Sequence, residues 1–291
     1  VVYIIGLICD SGCDLPQEYI KQNGIFSVKL KVILDDVMYK DLEEVQEETV
    51  IDYMKTKFPK TSLPSHAEVK EGFTELIKSG CNEIIGITIS GKLSGTNNMF
   101  NLVAKELMQE NKDLCIEIID TLSISIGTGL YVYKTAELIK KGRSFSEIIK
   151  NVKESIPKKV KVFFTIPTLK YLKAGGRIGK VMGTLGDIIN IKPVISVNEE
   201  GIYYTVSKDR GMKASVESMY KHFEKFVENQ KFVVAVYKAG VQPITNQFVQ
   251  NILDNVQKMK NMTSKFTGTI SSALLVHTGD GLVGIAALID D

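Results

Sequence analysis

The run Glu83-Ile84-Ile85-Gly86-Ile87-Thr88-Ile89-Ser90 leads directly into Gly91-Lys92-Leu93-Ser94-Gly95-Thr96-Asn97, and this join decides the fold class. A short apolar, β-branched segment bounded by a glycine- and hydroxyl-rich loop reads as a buried strand ending at a turn. Helical periodicity then continues to about Glu110. The cycle repeats at once, with a strand at 115–120, another Ser/Gly/Thr loop and another helix. Strand, loop and helix in strict alternation is the signature of parallel strands joined by helical crossovers.

Toward the N-terminus, residues 3–9 are β-rich, and Asp10-Ser11-Gly12-Cys13-Asp14-Leu15-Pro16 is a turn into a short helix. Segments 25–34 and 37–39 read as a hairpin around Asp35-Asp36. Helices are expected over about 47–58 and 66–78. Beyond residue 156 the pattern changes. A strand at 160–165 precedes a hairpin, 192–198 and 202–207, around Glu199-Glu200-Gly201. Met212, Val216, Met219, Phe223, Phe226 and Val227 form one helical stripe. Ile244, Phe248, Ile252 and Val256 form another, with a strand at 231–237 between them and strands at 273–276 and 282–289 closing the chain. The boundary is expected near Ile156-Pro157-Lys158-Lys159, giving an N-terminal α/β domain over 1–156 and a C-terminal α/β domain over 157–291.

The 291 residues are 44% apolar and 24% charged, with 36 basic and 34 acidic side chains. This is the balance of a globular protein with a sizeable core. A net charge of +2 does not advertise a nucleic acid or an anionic membrane as partner. No apolar stretch is long enough to span a bilayer. The apolar start, Val1 to Ile8, is short, lacks a basic flank, and reads as a buried strand rather than a signal peptide. Cys9, Cys13, Cys81 and Cys115 form no CxxC pair and no cluster with histidine at zinc spacing, so reduced thiols in the cytoplasm are expected, and no metal.

Three polar loops carry the chemistry that the chain offers: Lys60-Thr61-Ser62-Leu63-Pro64-Ser65, the loop from Ser90 to Asn97, and His277-Thr278-Gly279-Asp280-Gly281. Hydroxyls and free amides at helix starts suit anionic oxygens. Taken singly, Thr61, Ser62 and Ser94 read better as turn formers and helix caps, and it is the three loops together that suggest a shared anion site. His66 and His222 fall in helical patterns as surface residues. For His277, spacing leaves open a strand-end residue bonded to backbone or a donor to a carboxylate. The segment from Leu169 to Lys180 fails the phosphate-loop pattern, because Ala174 and Val181 stand where Gly and Ser/Thr are needed. Ser94 lies in no nucleophile elbow, and Gly127-Thr128-Gly129 lacks a third glycine. These failures count against a hydrolase, an NTPase and a dinucleotide enzyme.

In order, the pieces Asp10-Ser11…Asp14-Leu15, Thr61-Ser62-Leu63-Pro64-Ser65, Ser90…Leu93-Ser94-Gly95-Thr96 and Asp120-Thr121…Ser125…Gly127…Gly129 resemble the DegV family. Thr168-Leu169-Lys170-Tyr171-Leu172…Gly175-Gly176-Arg177-Ile178, Lys192-Pro193 and His277-Thr278-Gly279 extend the resemblance over nearly the whole chain. Each motif is weak alone; the ordered set is specific. It implies a bacterial, cytoplasmic two-domain α/β protein whose second sheet is largely antiparallel or mixed, with a long-chain fatty acid in a tunnel between the domains. The family's carboxylate-holding residues fall on Thr61, Ser94 and His277. Ser62, Gly95, Thr96, Thr278 and Gly279 complete the expected head site, with Arg177 near the mouth. The resemblance also implies a non-catalytic carrier, partnered by a separate ATP-dependent fatty acid kinase. One departure is Asp280, where the family has proline after His-Thr-Gly; it is expected to face solvent. The competing readings are an acyl or phosphoryl transfer enzyme with Ser94 as nucleophile and His277 as base, and an interaction module with an incidental lipid.

Overall fold

The computed structural model describes residues 4–184 and 190–290; Val1–Tyr3 of the apolar start lie outside them. The first half runs β1 (Ile5–Asp10), a 3-10 turn (Ser11–Cys13), α1 (Gln17–Gln22), β2 (Phe26–Val28), β3 (Lys31–Leu34), β4 (Val37–Lys40) and α2 (Glu47–Met54). It continues with β5 (Lys60–Ser62), α3 (His66–Lys78), β6 (Glu83–Thr88), α4 (Thr96–Glu110), β7 (Cys115–Asp120), α5 (Ile126–Lys140) and α6 (Phe145–Ser155). Strands in the order β2-β1-β6-β7 make the expected parallel sheet. The helix expected over 66–78 forms with those bounds. Ser65 and Glu68 cap it reciprocally, and Val69, Phe73 and Leu76 bury one face.

Two expectations in this half need correction. Segment 25–34 is not one strand: β2 joins the parallel sheet, while β3 pairs antiparallel with β4 and β5 in a separate small sheet. The break has a local cause, since the Leu30 amide donates to Ser11 Oγ at 3.0 Å instead of to a ladder carbonyl. The hairpin turn itself stands, with Asp35 and Asp36 at φ of 46° and 66°, a left-handed pair that aspartate tolerates. The other correction concerns Lys60–Ser62, read as loop. It is a strand of three residues that pairs Thr61 with Val32. It is too short to show alternation, and its structure comes from the β3 edge.

The second half runs β8 (Val160–Thr165), α7 (Lys170–Ala174), β9 (Ile191–Val197), β10 (Tyr203–Arg210), α8 (Met212–Val227), β11 (Phe232–Lys238), α9 (Pro243–Val256), β12 (Met262–Thr269), α10 (Ser272–Thr278) and β13 (Val283–Ile289). Its sheet has the order β10-β9-β8-β13-β11-β12, antiparallel except for the β11–β12 pair. The hairpin between β9 and β10 closes with Asn198 Oδ1 accepting from the amides of Glu200 and Ile202. Along α8, Val216, Met219, Phe223 and Val227 are buried as the stripe requires.

Here three readings change. Residues 273–276 are helix, not strand: Ala273, Leu274, Leu275 and Val276 are all buried, so no polar face exists to reveal the period. Strand β12 was not anticipated, because its sequence Met-Thr-Ser-Lys-Phe-Thr-Gly-Thr belongs to a polar edge strand with little apolar alternation. Ile244 is 48% exposed, and Thr245 takes the buried place beside Ile252 and Val256. All four cysteines are free, and buried Cys9 and Cys13 lie with sulfurs 3.7 Å apart.

The largest apolar cluster joins the two sheets. Ile85 and Ile87 of β6 and Val162 and Phe164 of β8 belong to it, with Leu130 and Tyr131 of α5. Helix α5 is buried along most of its first turns. The candidate site opens within this shared core.

Candidate functional site

A cavity lies between the sheets. Its wall is mainly apolar and includes Ile89, Leu93, Ile124, Ile126, Phe164 and Leu282. Polar side chains also line it. Strand β5 contributes Thr61 and Ser62, the loop after β6 contributes Ser94 and Gly95, the segment after α7 contributes Arg177, and α10 contributes His277 and Thr278. The fold thus brings together seven of the nine expected residues. Thr96 and Gly279 stand behind this lining. Thr96 is the fully buried first residue of α4, and its Oγ1 lies 2.8 Å from Ser94 Oγ. Gly279 ends α10 at φ 77°, and a Cβ there would meet the Tyr171 ring at 2.5 Å, so only glycine fits.

Thr61 Oγ1 and His277 Nε2 are 2.8 Å apart, a contact between residues 216 positions apart in sequence. The other ring nitrogen, Nδ1, is buried without a hydrogen-bond partner. It abuts Gly175, where a Cβ would come within 2.3 Å of it. Burial, and then the nearby positive charge of Arg177, lower the His277 pKa to about 4. The imidazole is therefore neutral at pH 7. Arg177 links its own segment to the loop after β6: Nη1 donates to the Gly175 carbonyl at 2.6 Å and Nε to the Leu93 carbonyl at 3.3 Å. Helix α4 begins immediately after Ser94 and Gly95, so its positive end adds to the donor set.

Helix α10, which carries His277 and Thr278, is pinned from the N-terminal half. Asp14 Oδ1 accepts from the Ser271 amide at 2.9 Å, and Asp41 Oδ1 accepts from the Ala273 amide at 3.1 Å. The second Asp41 oxygen accepts from Ser11 Oγ, and the second Asp14 oxygen from Ser125 Oγ. Asp10 accepts from the amides of Gly12 and Ile89, each at 2.9 Å. All three carboxyls are buried, and desolvation raises their pKa values, Asp10 to about 7 and Asp14 to about 8. The sequence places Asp10 and Asp14 in a turn and carries no signal for Asp41; what ties all three to the site is their long-range backbone bonding, which no local pattern records.

The remaining sequence candidates fall as follows. Ser94 Oγ bonds to Thr96, and His277 Nε2 to Thr61, so these bonds do not form a nucleophile–base pair. His66 pairs with Glu106 at 2.7 Å on the surface, as expected, and half-buried His222 stacks near Phe163. Asp280 does not turn freely to solvent: Oδ2 accepts from Gln242 Nε2 at 2.9 Å, Oδ1 is buried, and the residue does not line the cavity. Tyr203 and Tyr237, both cavity-lining, carried no sequence signal beyond being tyrosines in strands. Among the described residues, no group of three or more His, Cys, Asp or Glu could hold a metal, and no helix is long and apolar enough to cross a membrane.

Comparison with known proteins agrees with this architecture. A DegV domain-containing protein of Clostridium acetobutylicum is 35% identical over 285 residues, 98% of each chain. A fatty acid-binding DegV family protein of Thermus thermophilus superposes with a TM-score of 0.89 at 28% identity, over 98% of this chain and 99% of that one. The linoleic acid-loaded fatty acid kinase B3 protein of Streptococcus pneumoniae superposes with a TM-score of 0.82 at 24% identity, over 98% and 99%, a likeness of fold. The profile of the DegV family, described as uncharacterised proteins, matches residues 4–290, and the chain belongs to that family.

Proposed function

We propose that this protein is a carrier for one long-chain fatty acid, with the carboxylate among Thr61, Ser94 and His277 and the acyl chain in the apolar cavity. The observation that carries the reading is the cavity itself: an apolar interior between the sheets, with hydroxyl, imidazole and guanidinium groups gathered in its lining. Each buried methylene contributes about 0.8 kcal/mol, so a chain of ~14 methylenes supplies roughly 11 kcal/mol before ordering costs. Affinity then comes from the cavity, and orientation from the head site. The fatty acid-binding relative of Thermus thermophilus supports the ligand class.

The carrier acts in the cytoplasm and hands its ligand to a separate ATP-dependent fatty acid kinase. What supports this partner is the family resemblance, together with the same fold in a protein named for a fatty acid kinase. Mass spectrometry of solvent extracts from the purified protein tests the ligand. About one long-chain fatty acid per chain is expected; absence of any, with no uptake on titration, refutes the reading. Incubation of the loaded protein with ATP and a cognate kinase tests the partnership. Turnover of acyl esters by the protein alone favours the Ser94–His277 enzyme instead.

A further inference from the structure

The carrier reading requires an apolar cavity, yet part of its wall is not apolar. Tyr203, Tyr237 and Ser125 line it together with Ile124, Ile126 and Ile270. Tyr237 is only 2% exposed, and its Oη is buried with no hydrogen-bond partner. Leaving a phenol unpaired in a core is costly, and phenylalanine would fill the same space at no such cost. The ring is also held in place. On β12 its partner in register is Gly268, and a Cβ there would meet Tyr237 Cε1, Cζ and Oη at 3.0–3.3 Å. On β13 its partner is Gly284, which also lines the cavity. Glycine on the β12 side thus makes room for a phenol in a fixed position.

The neighbouring groups complete a donor–acceptor set. Tyr203 is 5% exposed. Ser125 Oγ donates to Asp14. Burial keeps both tyrosines protonated, against the opposing pull of the Arg177 charge on Tyr203, and therefore able to donate. An alkyl tail uses none of these groups. A hydroxyl or keto oxygen on the chain accepts from a phenol, and a hydroxyl can also donate to an oxygen of Tyr or Ser.

We propose that Tyr237, Tyr203 and Ser125 form a second polar subsite in the cavity wall, and that it selects long-chain fatty acids bearing an oxygen substituent on the acyl chain. This rests on the carrier reading and adds the ligand class to it. The test uses the full chain stripped of lipid, with dissociation constants for stearic, 10-hydroxystearic and 12-hydroxystearic acids. At least one hydroxy acid is expected to bind about tenfold more tightly than stearic acid, the yield of one hydrogen bond in a dry site. In Tyr237→Phe that ratio should fall to about one, and in Tyr203→Phe it should fall in part, with thermal melting run in parallel. Equal or tighter binding of stearic acid by the parent overturns the subsite while leaving the carrier intact. A preference that survives unchanged in Tyr237→Phe also overturns it. Failure of all three acids to bind refutes the carrier reading and the subsite together. The ratio in the parent decides the matter even if a variant does not fold.

Discussion

Replacing Thr61 with valine keeps the volume of the side chain and removes one hydroxyl, so it isolates the bond between β5 and α10. In the parent, Thr61 Oγ1 sits 2.8 Å from His277 Nε2, and Nδ1 has no partner. With its pKa near 4, the ring is neutral at pH 7 and carries a single N–H. Thr61→Val leaves both ring nitrogens of the empty protein unmatched, a cost of about 1–3 kcal/mol. In the loaded protein the same hydroxyl is the proposed donor to a carboxylate oxygen, and a hydrogen bond to a charged acceptor is worth about 1.5–3 kcal/mol. At 1.4 kcal/mol per decade, the variant should bind fatty acid about 10- to 100-fold more weakly. The acyl chain still fills the cavity, so binding is weakened and not abolished. Thr61→Ser keeps the hydroxyl and should recover most of the loss. Displacement of a fluorescent fatty acid at neutral pH, with thermal melting alongside, reads both effects. If Thr61→Val binds within a factor of about two of the parent and only melts earlier, Thr61 is a structural partner of His277 and the head-site assignment fails.

Ser94→Ala should weaken carboxylate binding by roughly tenfold while the fold persists. A lowered melting point at parental affinity would instead mark Ser94 as a structural residue of the turn before α4, where it accepts from the Thr96 amide at 3.3 Å. Arg177→Glu should slow phosphorylation of the bound acid by the kinase more than it weakens lipid binding, as measured side by side on one preparation; equal affinity with unchanged phosphorylation contradicts this. The buried carboxyls predict a pH dependence of stability. Asp14 at about 8 and Asp10 at about 7 hold protons that the unfolded chain, near 4, releases. Their stabilising effect is complete below about pH 4 and is lost as pH rises through 7–8. His277 acts oppositely: lowered to about 4, it adds stability as pH rises from about 4 to 6.5. Between about pH 6.5 and 8 the carboxyls alone remain, so the melting point should fall with pH, and less steeply in Asp14→Asn. A flat or rising profile in the parent contradicts the assignment.

The fold was legible where sequence signals are local and half-exposed. Ser65 and Glu68 announce α3 by a capping box, and Glu83–Thr88 ends at a loop rich in glycine and hydroxyls before α4. Periodicity disappears where an element needs two faces to show it and the structure supplies one. Helix α10 is buried almost all round, so its run of apolar residues looks like a strand. Strand β12 is exposed at most positions, so it looks like a loop. Strand β5 exists because β3 offers it an edge. The same divide runs through the site. Its hydroxyl loops are recognisable by composition, and the ordered motifs identify the family. The Thr61–His277 pair, the Arg177 bridge between Leu93 and Gly175, and the carboxyls behind α10 are long-range facts that periodicity cannot carry.

Those long-range facts also distinguish holding an anion from doing chemistry on it. A general base works best with a pKa near the working pH, within reach of the proton it takes. His277 is pushed to about 4 by burial and by Arg177, and its Nε2 is engaged by Thr61 rather than by Ser94. A neutral imidazole and a set of hydroxyls donate hydrogen bonds to a carboxylate without transferring a proton to it. In the proposed head site, half-buried Arg177 brings a positive charge from a position tied to two carbonyls. Rigidity comes from below, where Asp14 and Asp41 fix the start of the short helix that ends at His277 and Thr278. A head site whose donors are set before the ligand arrives loses little entropy on binding, which is the property a carrier needs.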